Sequence, residues 1–388
     1  RMFNGGVFPG DFDVGDAEEE LLPDEIVKEY IKVLYSYKSD EQQIMSQLRR
    51  LVVKFGVPSN VVLKELAKEN PTEGDRIITL RQKLWMFFIG VADDPVETEK
   101  DYIIQLNKGI HPFWDHICSD AKRTFVEPNS SEQEKRERND ATARVMNSLY
   151  LFLAEEKIHD KLEFVQGLNT FVGVFLESGL SEPQAYACLK KLMLEFLPEY
   201  VANRGMKQAF VLTEMCLWEL NPPFYLWLSN TKKSQNLELK NIIQPIILSL
   251  GSCLRPLAEV IHLWDFILAY GVTIFPLCFA ALMMLMEQCF REDPQLQFAR
   301  AQEIFTWSAR SVALKTISLL KIMKNNAKKE ENQHNEMVEL FNCMIYHGRG
   351  KTNEGVSVSG RAMEMWIERG GLIFDKKIKH FELVYHGE

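Results

Sequence analysis

The chain has 388 residues, enough for two to three globular units or for one large unit with flanking segments. Its 46% hydrophobic and 26% charged residues, with 21 Gly and 15 Pro, exclude a collagen-like or wholly disordered polymer. Forty-five Lys+Arg against 54 Asp+Glu leave a net charge of −9, which argues against nonspecific phosphate-backbone binding and against a nucleic-acid partner, because that task needs clustered positive charge.

The charge is uneven along the chain. Residues 1–25 hold eight acids (Asp11, Asp13, Asp16, Glu18, Glu19, Glu20, Asp24, Glu25) and one base, Arg1, and read as an acidic, flexible tail ahead of an almost neutral body. No basic-apolar-small leader opens the sequence, and Arg1 ahead of Met2 reads as the start of a fragment. Residues 26–70 are expected to form accessory helices. Seven cysteines are scattered, odd in number and never in a CxxC pair, so neither a disulfide framework nor a zinc knuckle is expected, and a reducing compartment fits. The eight histidines form no H-x3-H or HExxH pair; His111 and His116, five apart, point to different faces of a helix, and no metal site is expected.

Beyond residue 70 the pattern is helix after helix. Met146, Leu149, Tyr150 and Leu153 fall at i, i+3, i+4 and i+7, and Leu168, Phe171, Val172, Phe175 and Leu176 repeat that stripe, so both segments present core faces. Ser181 with Gln184 forms a capping-box pattern that predicts a helix through about Phe196. Asn221, Pro222 and Pro223 mark another start, and Asp265 sits inside an apolar helix from about Leu257 to Ala269. Phe266 to Met286 runs 21 residues without a charge, long enough to span a bilayer. Gly271, Thr273 and Pro276 instead space it as a helix stop, a connection and a new first turn, so two core helices are expected and no transmembrane segment.

Two further polar stretches, Glu127 to Asp140 and Lys324 to Glu336, read as surface loops or exposed helix ends. Strand-like alternation is seen only in the last dozen residues, at Phe381, Leu383 and Tyr385, which suggests a short closing hairpin. Gly350-Lys351-Thr352 ends like a phosphate-binding loop, but its first glycine is replaced by Ile345; Gly355 to Ser359 misses the nucleophile-elbow pattern by its last glycine.

Some polar residues stand out against this apolar background. Asp120 and Arg123 are three apart, close enough on a helical turn for the acid to orient the guanidinium; a surface salt bridge worth about 0 to 1 kcal/mol is the plainer reading. In Phe164-Val165-Gln166-Gly167-Leu168-Asn169 an amide precedes an amphipathic helix, and Gly167 leaves room for another molecule's backbone or a phosphate to approach, although a simple helix-entry loop looks the same. Asp265 needs a partner, because burying a lone carboxylate is costly, and Arg81 is a candidate.

Taken together, Leu80-Arg81-Gln82-Lys83-Leu84-Trp85, the IxxDxxRT segment at 117–124 (Ile117, Asp120, Arg123, Thr124), FVQGLN at 164–169, and Leu263-Trp264-Asp265-Phe266 with Ala269-Tyr270-Gly271 resemble, in order and spacing, the signature blocks of the TBC domain family. Members of that family are GTPase-activating proteins for Rab-type small GTPases. The resemblance covers about Leu80 to Lys324 and implies an all-α, multi-helical domain over 71–325 in two helical lobes forming a V, followed by a polar linker and appendage at 326–388. It further implies that Arg123 is an arginine finger and Gln166 a glutamine finger offered in trans, with Asp120, Ile117, Gly167 and Asn169 supporting them. Arg81, Trp85, Trp264 and Asp265 would then brace the scaffold, although core packing alone also accounts for the two tryptophans. The protein would need no cofactor of its own, since GTP and Mg2+ belong to the partner GTPase.

Leu168 in FVQGLN, Leu197 to Tyr200 leading to Gly205, and the Cys216 to Leu228 stretch resemble the mitotic-exit and septation-network branch, which implies a second GAP subunit and cytoplasmic protein recruited by partners to spindle poles or vesicle membranes. Phe164 stands where many members have Tyr, Leu168 where many have Met, and the Gly-Ile-Pro opening before the first block is absent. The alternative is a noncatalytic scaffold that binds a GTPase or another partner.

Overall fold

The computed structural model describes residues 22–36, 41–65, 76–92, 94–124, 130–156, 162–197, 205–234, 245–293 and 306–329. As expected, the fold is almost entirely helical. Helix α1 (Pro23–Leu34) starts with Pro23 in its first turn and is followed by α2 (Glu41–Phe55). Strand β1 (Val62–Glu65) then pairs antiparallel with β2 (Arg76–Thr79), placing Leu63 opposite Ile78.

This hairpin departs from the expectation of helices over 26–70 and of no strand before the last dozen residues. Each strand has only four residues, too few for a period of two to stand out from the surrounding apolar pattern. Leu63 and Ile78 face the core while Val62 and Ile77 face solvent. Strand β2 runs directly into α3 (Leu80–Ile89) through Thr79, whose hydroxyl accepts from the Gln82 amide while the Gln82 side chain accepts from the Thr79 N–H. Gly90, with φ 75°, ends that helix in the left-handed region.

The next helices are α4 (Pro95–Leu106), α5 (Trp114–Ala121), α6 (Glu132–Glu155), α7 (Leu168–Glu177) and α8 (Glu182–Lys191). Long α6 is the hub of this half and packs against α4, α5, α7 and α8. Its polar beginning is the solvent-facing part of the Glu127 to Asp140 stretch, opened by a Ser131–Glu134 capping box that the sequence reading passed over. Ser181 and Gln184 cap α8, which continues as a π-turn over Leu192–Phe196 and so reaches the expected end.

Beyond it lie α9 (Gly205–Leu220) and α10 (Pro222–Ser234), where Asn221 Oδ1 accepts from the Phe224 amide at 3.3 Å. Helix α11 (Leu257–Tyr270) is central to the second half: α2, α3 and α14 (Ala309–Lys329) all pack on it. Gly271, at φ 100°, stops it; a 3-10 turn over Val272–Ile274 follows, and α12 (Phe275–Leu285) begins with Pro276 in its first turn and lies against α9 and α14. The uncharged stretch Phe266 to Met286 is therefore two core helices, and no described helix is long and apolar enough to cross a membrane. Short α13 (Glu287–Glu292) follows. The readings at Gly350 to Thr352, Gly355 to Ser359 and Phe381 to Tyr385 lie outside the described residues.

One continuous apolar core extends from Tyr30 in α1 to Met323 in α14. Both stripes read from the sequence are inside it, apart from Leu176, which is half-buried.

Candidate functional site

The brace comes first in the chain. Arg81 and Trp85 are four residues apart in α3 and therefore share a face, and both meet the Asp265 carboxylate of α11. Arg81 Nε donates to both carboxylate oxygens at 3.0 and 3.3 Å, Arg81 Nη2 to Oδ2 at 3.1 Å, and Trp85 Nε1 to Oδ1 at 2.7 Å. His262 Nδ1 lies 3.4 Å from Oδ2. The Asp265 side chain is 1% exposed and that of Arg81 11%, so this is a buried, multiply hydrogen-bonded pair. Around it the rings interlock: Trp85 sits 6.0 Å from Trp264 and 6.0 Å from Phe175, and Trp264 sits 5.5 Å from both Phe171 and Phe175 of α7. The two tryptophans thus serve as core and as a brace behind α7.

The second block ends helix α5. Ile117 is fully buried and anchors the helix, which unwinds after Ala121 through tight turns in which the Arg123 and Thr124 amides donate to Asp120 and Ala121 carbonyls at 2.9 and 3.0 Å. Arg123 consequently leaves the helix end toward solvent, its side chain 61% exposed, while the Asp120 side chain is 4% exposed. The Asp120 carboxylate pairs through Oδ1 with Arg123 Nη2. Arg carries five N–H donors, so one bond to Asp120 orients the guanidinium and leaves the rest of its fork open outward.

The third block precedes α7. Val165 is buried, Gln166 is exposed, and Gly167 takes φ 105° as the residue before the helix. A Cβ on Gly167 would meet the Leu248 carbonyl oxygen at 3.2 Å. The close approach that glycine permits here is thus by this chain's own backbone, which corrects the expectation of room for another molecule. Thr170 returns to this turn, its hydroxyl donating to the Gly167 carbonyl at 2.6 Å.

One buried side chain brings the second and third blocks together, and another supports the third. Asn169, in the first turn of α7, donates through Nδ2 to the Asp120 carbonyl and to Thr124 Oγ1, both at 3.0 Å, so the turn behind Gln166 is tied to the turn that carries Arg123. Tyr150 of α6 accepts the Val165 N–H at 2.9 Å on its phenol oxygen. Burial pushes the Tyr150 phenol above its ordinary value, the Val165 N–H works against that, and the nearby Asp120 charge adds to it. A ring cluster frames the Gln166 turn: Phe113, His111, Tyr150 and Phe164 stack around one another, and His116 lies 5.4 Å from Phe164. His111 precedes α5 instead of lying on it, so the two histidines converge on Phe113 although helical spacing separates them.

Arg123, Gln166, Asp120, Gly167, Asn169 and Ile117 therefore belong to one connected region, whereas Arg81, Trp85, Trp264 and Asp265 form the layer behind it. Sequence reasoning missed Thr124 and Tyr150 as parts of the region, and only the placement of Thr124 inside the second block pointed to it. No group of three or more potential metal ligands is found among the described residues.

The Rab-GTPase-TBC domain model matches residues 78–290, more than half of the chain. A BUB2-type mitotic check point protein of Dictyostelium discoideum is 29% identical over 262 residues, an alignment that spans 66% of this chain and 66% of that protein, just under two thirds of its length. Cell division control protein 16 of Schizosaccharomyces pombe is 28% identical over 261 residues, 66% of this chain and 78% of that protein. Mitotic check point protein BUB2 of Saccharomyces cerevisiae is 28% identical over 269 residues, 66% and 81%. Among solved structures, the Ypt/Rab-GAP domain of Gyp1p superposes with a TM-score of 0.56 at 16% identity, covering 78% of this chain and 99% of that one. A Chlamydomonas flagellar RabGAP TBC domain gives 0.51 at 18%, covering 76% and 92%. With its blocks in order, its helical fold shared and more than half its length matched, the chain belongs to the Rab-GTPase-TBC domain family of GTPase-activating proteins.

Proposed function

We propose that this protein accelerates GTP hydrolysis on a Rab-type small GTPase by inserting Arg123 and Gln166 into the partner's nucleotide site. The observation that carries the reading is the pairing of two exposed polar side chains on turns that Asn169 ties together. Phosphoryl transfer to water leaves little covalent chemistry to a protein; it rewards positioning and electrostatic stabilisation of the transferring group. A guanidinium supplies positive charge and several donors to phosphate oxygens, and a carboxamide can both accept from and donate to the attacking water. Asp120, already bonded to Arg123, limits the rotamers the finger must lose on insertion. The relatives' names refer to mitotic checkpoint and division control, and we assign this chain to the same process.

The test is single-turnover phosphate release from a panel of GTP-loaded Rab-type GTPases. At least one member should be accelerated by roughly 10³-fold or more, and Arg123→Ala and Gln166→Ala should each remove most of that gain. No acceleration anywhere at high protein concentration, or full activity in both variants, overturns the reading in favour of a noncatalytic platform.

A further inference from the structure

We infer that Tyr150 is a positioning residue for Gln166: its hydroxyl holds the Val165 N–H and so fixes the backbone from which the glutamine projects. The inference rests on the function proposed above and deepens it. Tyr150 is fully buried in α6 and so acts only through the turn that it supports.

The ring leaves the hydroxyl almost no freedom. Tyr150 stacks on Phe164 at 5.8 Å and 22°, stacks on His111 at 5.5 Å and 29°, and meets Phe113 edge-on at 5.4 Å and 87°. A ring held on three sides places its oxygen at a set point. Val165 is itself buried, and a buried backbone N–H must find an acceptor or cost the fold about 1–3 kcal/mol. The Val165 amide lies outside any regular element and has no helix or sheet partner; the phenol fills that need.

On the other side of Gln166, Gly167 is equally constrained. The Leu248 carbonyl stands behind it, and the Thr170 hydroxyl and amide both bond to its carbonyl, at 2.6 and 3.0 Å. Gln166 is therefore an exposed residue between two fixed neighbours, and Tyr150 fixes the N-terminal one. Removing the hydroxyl frees one end of the Gln166 turn while leaving the ring stack, the Asn169 ties and the Arg123 turn in place.

The test uses the full chain and the conservative variant Tyr150→Phe, which keeps every ring contact. Amide hydrogen exchange should show faster exchange across residues 162–168 with α6 and α8 unchanged. With the most responsive GTP-loaded Rab-type GTPase of the panel, kcat should fall about 10-fold with KM within about twofold, because a small misplacement of a catalytic group costs rate and not docking. In a Gln166→Ala background the same substitution should have no further effect on kcat, whereas with Arg123→Lys it should keep its full effect. Unchanged exchange at 162–168, unchanged kcat in an active protein, or an equal loss of kcat with and without Gln166 each overturns the inference. If the wild-type chain accelerates no GTPase, the proposed function fails, and the exchange measurement still decides whether Tyr150 holds the turn.

Discussion

Arg81→Met is the sharpest probe of the brace. Methionine keeps an unbranched stem of similar length and removes the guanidinium, which takes away contacts to the Asp265 carboxylate at 3.0, 3.3 and 3.1 Å and one to the Val57 carbonyl at 3.1 Å. The carboxylate, 1% exposed, is left with Trp85 Nε1 and the His262 ring nitrogen. Stranding one charge of a buried pair costs about 3–5 kcal/mol, roughly a fifth or more of the stability of an ordinary domain. Asp265→Leu strands the guanidinium and the Trp85 N–H instead and should cost a similar amount. In the double variant both charges are gone and the remaining penalties are the unpaired indole N–H, about 1–3 kcal/mol, and the Val57 carbonyl that has lost its guanidinium donor. The double variant should therefore be no less stable than either single one, with a large favourable coupling. Urea unfolding followed by circular dichroism measures this, provided the slope against denaturant stays constant across the four proteins. A loss below about 1 kcal/mol for Arg81→Met, or losses that simply add in the double variant, would refute the argument that the pair is a mutually dependent buried unit.

Two further expectations concern the candidate site. Asn169→Ala removes both 3.0 Å ties to the Arg123 turn; it should destabilise the fold by about 1–3 kcal/mol and lower stimulated hydrolysis, and a variant with wild-type kcat and wild-type urea midpoint would show that the ties do not register the two turns. Burial holds His111 below its ordinary value, so the folded state binds fewer protons than the unfolded chain once pH drops under about 6.5. Its contribution is complete above that pH and is lost as pH falls toward the lowered folded value; urea midpoints at pH 7.5 and 5.5 should differ less in His111→Asn than in wild type, and equal differences would exclude His111 as the cause.

How far the sequence could be read depended on whether a residue's partner left a trace in the local pattern. The Ser181–Gln184 capping box is complete within four residues, and the breakers Gly271 and Pro276 act on their own backbone, so both were legible. Asp265 in an apolar run announced that a partner must exist, and a basic residue in another family block was the natural choice. Tyr150 gave no such sign: it sits in a regular apolar stripe, and the group that it serves is a backbone N–H fifteen positions later. Gly167 looked like an opening because Leu248, which fills the space, belongs to a distant segment. The hairpin was lost between helices because its pairing, not its four-residue strands, makes it a structure.

The TBC match begins at residue 78, but the physical unit begins earlier. Tyr30 donates to the Gly56 carbonyl at 2.8 Å, Arg81 reaches back to Val57, and Arg49 donates to the Ala269 carbonyl at 2.6 Å with its guanidinium over the Tyr270 ring. A gene segment cut at the family boundary would encode a protein whose α11 has lost its flank: the face that α2 packs on is opened to water, and the last turn of α11 is no longer clasped. For expression and crystallisation, the first two helices are not decoration ahead of the domain; they are one of its sides.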